Sequence, residues 1–196
     1  MSPTLDHARD DVSASSAGGA PFLICFGATL FACAVASLYL DRQVAALLVM
    51  FQGGLALPAA FWLERRMGWK RMAADNPLRP LSVQLAMSQI IAFPVVLVVY
   101  SLNPGGVPLA MAAIAGGHFL PYAWLQRTRV YVGLAVVVSA GALAVQIMLG
   151  AAAFPVVLLL MTASYWVAAP LVYRNAARRR TGGRGQVLLE QDLTPI

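Results

Sequence analysis

Apolar residues fall into six runs of close to 20, separated by short polar or glycine–proline breaks. The runs cover residues 22–40, 43–63, 81–101, 107–126, 130–150 and 153–173. A helix needs about 20 apolar residues to cross the hydrocarbon core of a bilayer. The pattern therefore predicts an all-α polytopic transmembrane helical bundle of six helices. Residues 1–20, MSPTLDHARDDVSASSAGGA, are small and polar and read as a disordered cytoplasmic tail. Residues 21–174 form the six-helix transmembrane domain. Residues 175–196 form a basic cytoplasmic tail, whose VLL is far too short to span.

The breaks carry an orientation signal. Arg9 precedes the first run. Arg65, Arg66, Lys70, Arg71 and Arg79 lie between the second and third, Arg127 and Arg129 between the fourth and fifth, and Arg174, Arg178, Arg179, Arg180 and Arg184 after the sixth. Only Arg42 falls on the other side. Basic residues collect in cytoplasmic loops, so both termini are expected in the cytoplasm and the number of spans is expected to be even. A cleaved signal over residues 22–36 is the rival topology, with ACAVAS supplying small residues. The segment before it is net acidic where a signal needs a basic one, which favours a retained helix.

Two runs close alike. GGLALPAAFWLERR begins at Gly53 and GGHFLPYAWLQRTR at Gly116, 63 residues later. Both glycines, Leu57/Leu120, Pro58/Pro121 and Ala60/Ala123 match without a gap. APLVYR, at the end of the sixth run, is a weaker echo. The bundle is thus expected to contain three repeated helical hairpins, although aromatic and arginine residues at an interface would account for part of the likeness. Ala28, Ala32 and Ala36 in the first run, and Gly133, Val137 and Gly141 with Ala140 and Ala144 in the fifth, recur at helical spacing. Such small residues predict close helix packing or self-association, so a homo-oligomer is one expectation.

Composition agrees with the pattern. The chain is 60% hydrophobic and 11% charged, with a mean hydropathy of +0.72. Soluble domains are about 45–50% apolar and about 25% charged. The net charge of +6 would suit nucleic acid, but loop arginines explain it more simply, and no nucleic-acid partner is expected. The basic loop and tail would instead meet the bilayer and its anionic headgroups. Thirteen arginines against a single lysine, with abundant alanine and glycine, suggest a GC-rich bacterial genome and hence an inner-membrane protein.

The candidate chemistry is sparse. Asp41 and Glu64 sit at helix ends, and no acid lies well inside a run, so paired-carboxylate catalysis and carboxylate-based ion coupling are not expected. No glycine-rich phosphate loop, HExxH or Ser/His/Asp set is present. Cys25 and Cys33 lack metal-site company, and eight residues apart on one helix they read as free buried thiols. No cofactor or metal is expected, and an enzyme is less expected than a non-enzyme. What remains is one imidazole and several neutral polar groups. At about 1.5 Å per residue, His118 lies about 12 Å inside the fourth run, with Gln89 at a similar depth in the third. Tyr165, Thr29 and Ser139 fall in the same layer and Gln52 a turn deeper. Gln84 and Ser88 share one face, as do His118 and Tyr122. An ionisable group at membrane depth is a functional candidate. The site predicted from these spacings is His118, Gln89, Tyr165, Gln52, Tyr122 and Ser88, facing a small neutral or weakly polar solute. Polar glue between helices is the alternative for each of them.

The segment HFLPYAWL, with the TRVY that follows it, resembles one in small bacterial multi-pass membrane proteins of unassigned function. It covers about a sixth of the chain, and the resemblance implies membrane residence and no particular activity. A non-transporting scaffold or accessory subunit is the second functional expectation, and an intramembrane enzyme acting on a lipid the third.

Overall fold

Uninterrupted apolar sequence free of β-strand alternation folds here into helices throughout. The structure, a computed structural model, describes residues 4–67 and 71–192, with side chains to residue 179. Eight helices follow in order: α1 (Leu5–Ser15), α2 (Ala20–Ala36), α3 (Arg42–Phe51), α4 (Gly53–Met67), α5 (Arg79–Leu102), α6 (Val107–Leu125), α7 (Val130–Leu149) and α8 (Ala153–Asp192). No strand occurs among the described residues. Stretches long and apolar enough to cross a membrane are Ala17–Ala36, Arg42–Met67, Arg79–Leu102 and Val130–Arg179, the last holding both α7 and α8. α6, which carries His118 and two prolines, is not among these stretches.

The helices stand in a curved row ordered α4, α2, α8, α7, α6, α5. Phe154, Leu158, Met161, Leu30 and Val138 are among the fully buried side chains at its centre. α3 closes the row at the end away from the arginines, where it reaches α2, α5 and α6. Arg42 lies at that end, with its guanidinium 4.5 Å from the Phe154 ring centroid. Toward the opposite, basic end, α4 packs along α2 and makes almost no contact with α5 or α6. α5 is the least enclosed helix; Val96 is its one buried residue. Pro94, just before Val96, cannot donate to the helix ladder, a usual cause of a bend.

Three expectations need correction. The second apolar run is two helices, broken at Gln52, whose side chain turns inward to meet α2. The small-residue stripes pack inward only in part: Ala36 and Gly141 are half-buried, and a Cβ on Gly141 would lie 3.0 Å from the Leu160 side chain. Ala28 and Ala32 are exposed on α2, as are Gly133, Val137, Ala140 and Ala144 on α7. The faces one step round, Leu23, Leu30 and Ala34 on α2 and Leu134, Val138 and Ala142 on α7, enter the core instead.

The third correction is the polar N-terminal segment, which is a helix and not a disordered tail from Leu5 to Ser15. The Thr4 hydroxyl caps it by accepting from the His7 N–H, and Asp6 lies in its first turn, where the helix dipole favours an acid. Ala8 and Val12, four apart on one face, bury against Leu78 and Leu125. The polar faces find partners far along the chain. The Asn76 amide donates to the Ala8 carbonyl and to Asp11 Oδ2, each at 2.9 Å. Gln126 Nε2 donates to Ser16 Oγ at 3.0 Å. Arg9 donates from Nε at 3.0 Å, and also from Nη2, to the Trp124 carbonyl and lies over the Trp124 ring. Asp10 takes Arg127 at 3.3 Å and Arg179 at 3.7 Å.

That ionic group explains an irregular turn. α6 ends in a Schellman motif: the Thr128 N–H bonds the Ala123 carbonyl, and the Arg127 N–H bonds Trp124. The motif needs a left-handed residue, usually glycine, and here it is Arg127 at φ 51°. The left-handed region costs a non-glycine residue about 1–2 kcal/mol. Glycine would avoid that cost but could not bridge Asp6 and Asp10 of α1.

Candidate functional site

Ser88 of α5 and His118 of α6 face each other across the packing of these two helices, with Ser88 Oγ 3.2 Å from His118 Nδ1. Ser88 Oγ also lies 2.7 Å from the Leu85 carbonyl, to which it donates. A hydroxyl carries one proton. With that proton on Leu85, Ser88 accepts from Nδ1–H, and the neutral imidazole keeps Nε2 as a bare acceptor. In that arrangement the open ring nitrogen is Nε2. His118 is half-buried and Ser88 exposed.

The Tyr122 ring, one turn on, lies 4.9 Å from His118. From there an aromatic series runs inward. Tyr122 is 6.1 Å from Tyr131, which stacks at 5.8 Å on Phe119, which meets Tyr165 edge-on at 5.5 Å. The Tyr131 hydroxyl donates to the Gly18 carbonyl at 2.7 Å and ties the series to the base of α1.

The six residues singled out from sequence therefore divide. His118, Ser88 and Tyr122 come together, with Gln89 half-buried beside Ser88 and without a hydrogen bond to another described residue. Gln52 belongs to a second polar group. Its Oε1 accepts from Thr29 of α2, where the α3–α4 break brings it inward. Tyr165 lies behind Phe119, is 4% exposed, and reaches His118 only through that ring. Sequence reasoning missed Tyr131. Its place beside two arginines reads as an interface anchor, but in the first turn of α7 it packs against Phe119 and Tyr122 of α6 and is 3% exposed. Cys25 and Cys33 are both free. Among the described residues, no three His, Cys, Asp or Glu side chains gather as metal ligands would.

Stacked apolar helices, a polar pair at mid-depth and arginines gathered at one end define the class: an all-helical protein with several helices apolar and long enough to span a membrane. Within that class the chain belongs to a family of unknown function, DUF7010, which matches residues 5–175. The match takes in α1 as well as the apolar helices. Comparison with curated proteins and with solved structures gives no match.

Proposed function

We propose that this is a multi-pass protein of a bacterial inner membrane, with both termini in the cytoplasm, that binds or passes a small neutral or weakly polar solute at His118. The observation that carries the reading is the pair of half-buried His118 and exposed Ser88 between α6 and α5, helices that α4, at the other end of the row, barely touches. A polar group kept only as glue would be closed over, because hydrocarbon offers it no partner. Here an imidazole acceptor and an exposed hydroxyl stand where α4 leaves α5 and α6 uncovered. The proposed approach for the solute is this uncovered face of α5 and α6. A solute with a hydroxyl or amide donor would bond Nε2, while Gln89 offers both a donor and an acceptor. The arginines at one end, with Arg42 at the other, support the orientation.

Glycerol is a suitable probe, because it is neutral and rich in donors. Proteoliposomes carrying the wild type are expected to equilibrate glycerol faster than empty vesicles by light scattering, with His118→Ala and Gln89→Ala removing most of the gain. Wild-type vesicles no faster than empty ones would remove glycerol-class passage. A gain kept in full by both variants would move the site elsewhere. A second reading, an accessory subunit, draws on α5, which keeps only Val96 buried and which a partner would cover. Purification as a stable monomer without a partner counts against it.

A further inference from the structure

A groove of about 320 Å³ lies between α2 and α8 at the end of α4, with no residue of the His118 pair in its lining. Ala20 and Ile24 of α2, Met67 at the end of α4, and Trp166, Pro170 and Tyr173 of α8 line it. The α8 residues recur at i, i+4 and i+7, one face of a helix. At 1.5 Å per residue they run for about 10 Å, a third of the hydrocarbon thickness. The lining is almost wholly apolar, and the Trp166 indole N–H is turned away to the Ile24 carbonyl at 3.3 Å.

The groove ends among arginines. Arg65 and Arg66 immediately precede Met67, and Arg174 follows Tyr173. All three are exposed. Arg66 lies 4.9 Å from the Trp62 ring centroid, Arg65 acts electrostatically on the neighbouring Glu64 carboxyl, and Arg174 forms no ion pair with another described residue. Glu64, three residues before Met67 and on the same face of α4, is the one carboxylate on that helix against Arg65, Arg66 and Arg174, so the local balance is positive.

We infer that this groove holds one acyl chain of an anionic phospholipid, with the phosphate between Arg65 and Arg174. The inference goes beyond solute handling and rests only on the chain lying in a bilayer. An apolar slot a third of the membrane deep suits the upper part of an acyl chain. Exposed guanidiniums at its mouth distinguish an anionic headgroup from a zwitterionic one, as juxtamembrane arginines do generally.

The test is native mass spectrometry of the full chain, extracted in mild detergent from vesicles of equal phosphatidylglycerol and phosphatidylethanolamine. The wild type is expected to retain one phosphatidylglycerol in clear preference. Arg65→Gln with Arg174→Gln is expected to cut that preference by at least about fivefold, the weight of one surface arginine on an anionic lipid. Ile24→Trp, which fills the groove, is expected to remove both lipids. The arginine pair lies on the surface and decides the matter if Ile24→Trp fails to fold. Arg129→Gln, at the start of α7, and His118→Ala are expected to retain lipid as the wild type does. Equal retention of the two lipids by the wild type would overturn the assignment. So would an unchanged preference in the double variant, or an equal loss in Arg129→Gln.

Discussion

Gly116→Ala is expected to lower thermal stability in detergent by several degrees, whereas Gly117→Ala, one residue on, should leave it unchanged or raise it. A Cβ on Gly116 would fall onto Ser139 Oγ and lie 2.9 Å from the Ala135 carbonyl oxygen of α7. The hydroxyl can rotate away, but the backbone carbonyl cannot. The closest approach of α6 to α7 would have to open along its length. Forcing a methyl group into a packed contact costs roughly 1–3 kcal/mol. At about 2–4 °C per kcal/mol for a chain of this size, the change is readily measured. Ser139→Ala should rescue the variant in part, because it relieves one of the two collisions. A Cβ on Gly117 meets nothing within 4 Å. Alanine there would gain roughly 0.5–1 kcal/mol of helix propensity. Equal losses at both positions would contradict the close α6–α7 contact.

Gly18→Ala should cost more, roughly 2–5 kcal/mol, the sum of left-handed strain and overpacking. Ala17, Gly18 and Gly19 turn the chain from α1 into α2 through three successive positive φ values of 51°, 67° and 84°. A Cβ on Gly18 would lie 2.6 Å from the Val172 carbonyl oxygen and 3.2 Å from Ala176 Cβ on α8. The Gly18 carbonyl is also the acceptor for Tyr131. Alanine would push the turn off α8, break that bond and release α1. Amide exchange over residues 5–15 should therefore quicken together with the fall in Tm. Ala17→Gly, which relieves strain without adding an atom, should do neither. Unchanged exchange in Gly18→Ala would show that α1 is not held at its base.

The contrast at residues 116 and 117 bears on what the sequence can reveal. The six apolar runs and their breaks are legible because hydropathy is a property of each segment alone. The double glycine of the 63-residue repeat is visible in the same way, but its use is not. A Cβ on Gly53, the counterpart of Gly116, would reach only the Phe26 ring at 3.9 Å, and Gly54 meets open space. The same letters serve a tight contact in one copy and none in the other, because what faces them comes from a different helix. α1 was illegible for a related reason. Its composition is that of a solvated tail, and its hold depends on Asn76, Trp124, Arg127 and Arg179, more than 60 residues away.

The candidate site divides along the same line. His118, Ser88, Gln89 and Tyr122 could be placed together from helix depth and spacing, since α5 and α6 are sequential and antiparallel. Gln52 could not, because the break that turns it to Thr29 lies inside an unbroken apolar run. Tyr165 has the depth expected of it but lies behind Phe119, and depth alone does not give azimuth.

Access of water to the His118 face of α5 and α6 is the centre of the proposed function, and thiol accessibility tests it most directly. In a Cys25→Ala, Cys33→Ala background, Ser88→Cys and Ile90→Cys would sit about 3 Å apart in depth and on nearly opposite faces of α5. Ile90 is 62% exposed on the outer side. A thiol reacts as its thiolate, which forms in water and not in hydrocarbon. With the protein in liposomes, a small charged methanethiosulfonate should modify Ser88→Cys quickly and leave Ile90→Cys essentially untouched. Equal resistance of the two cysteines would contradict a water-reachable face at His118 and leave that residue as glue between helices.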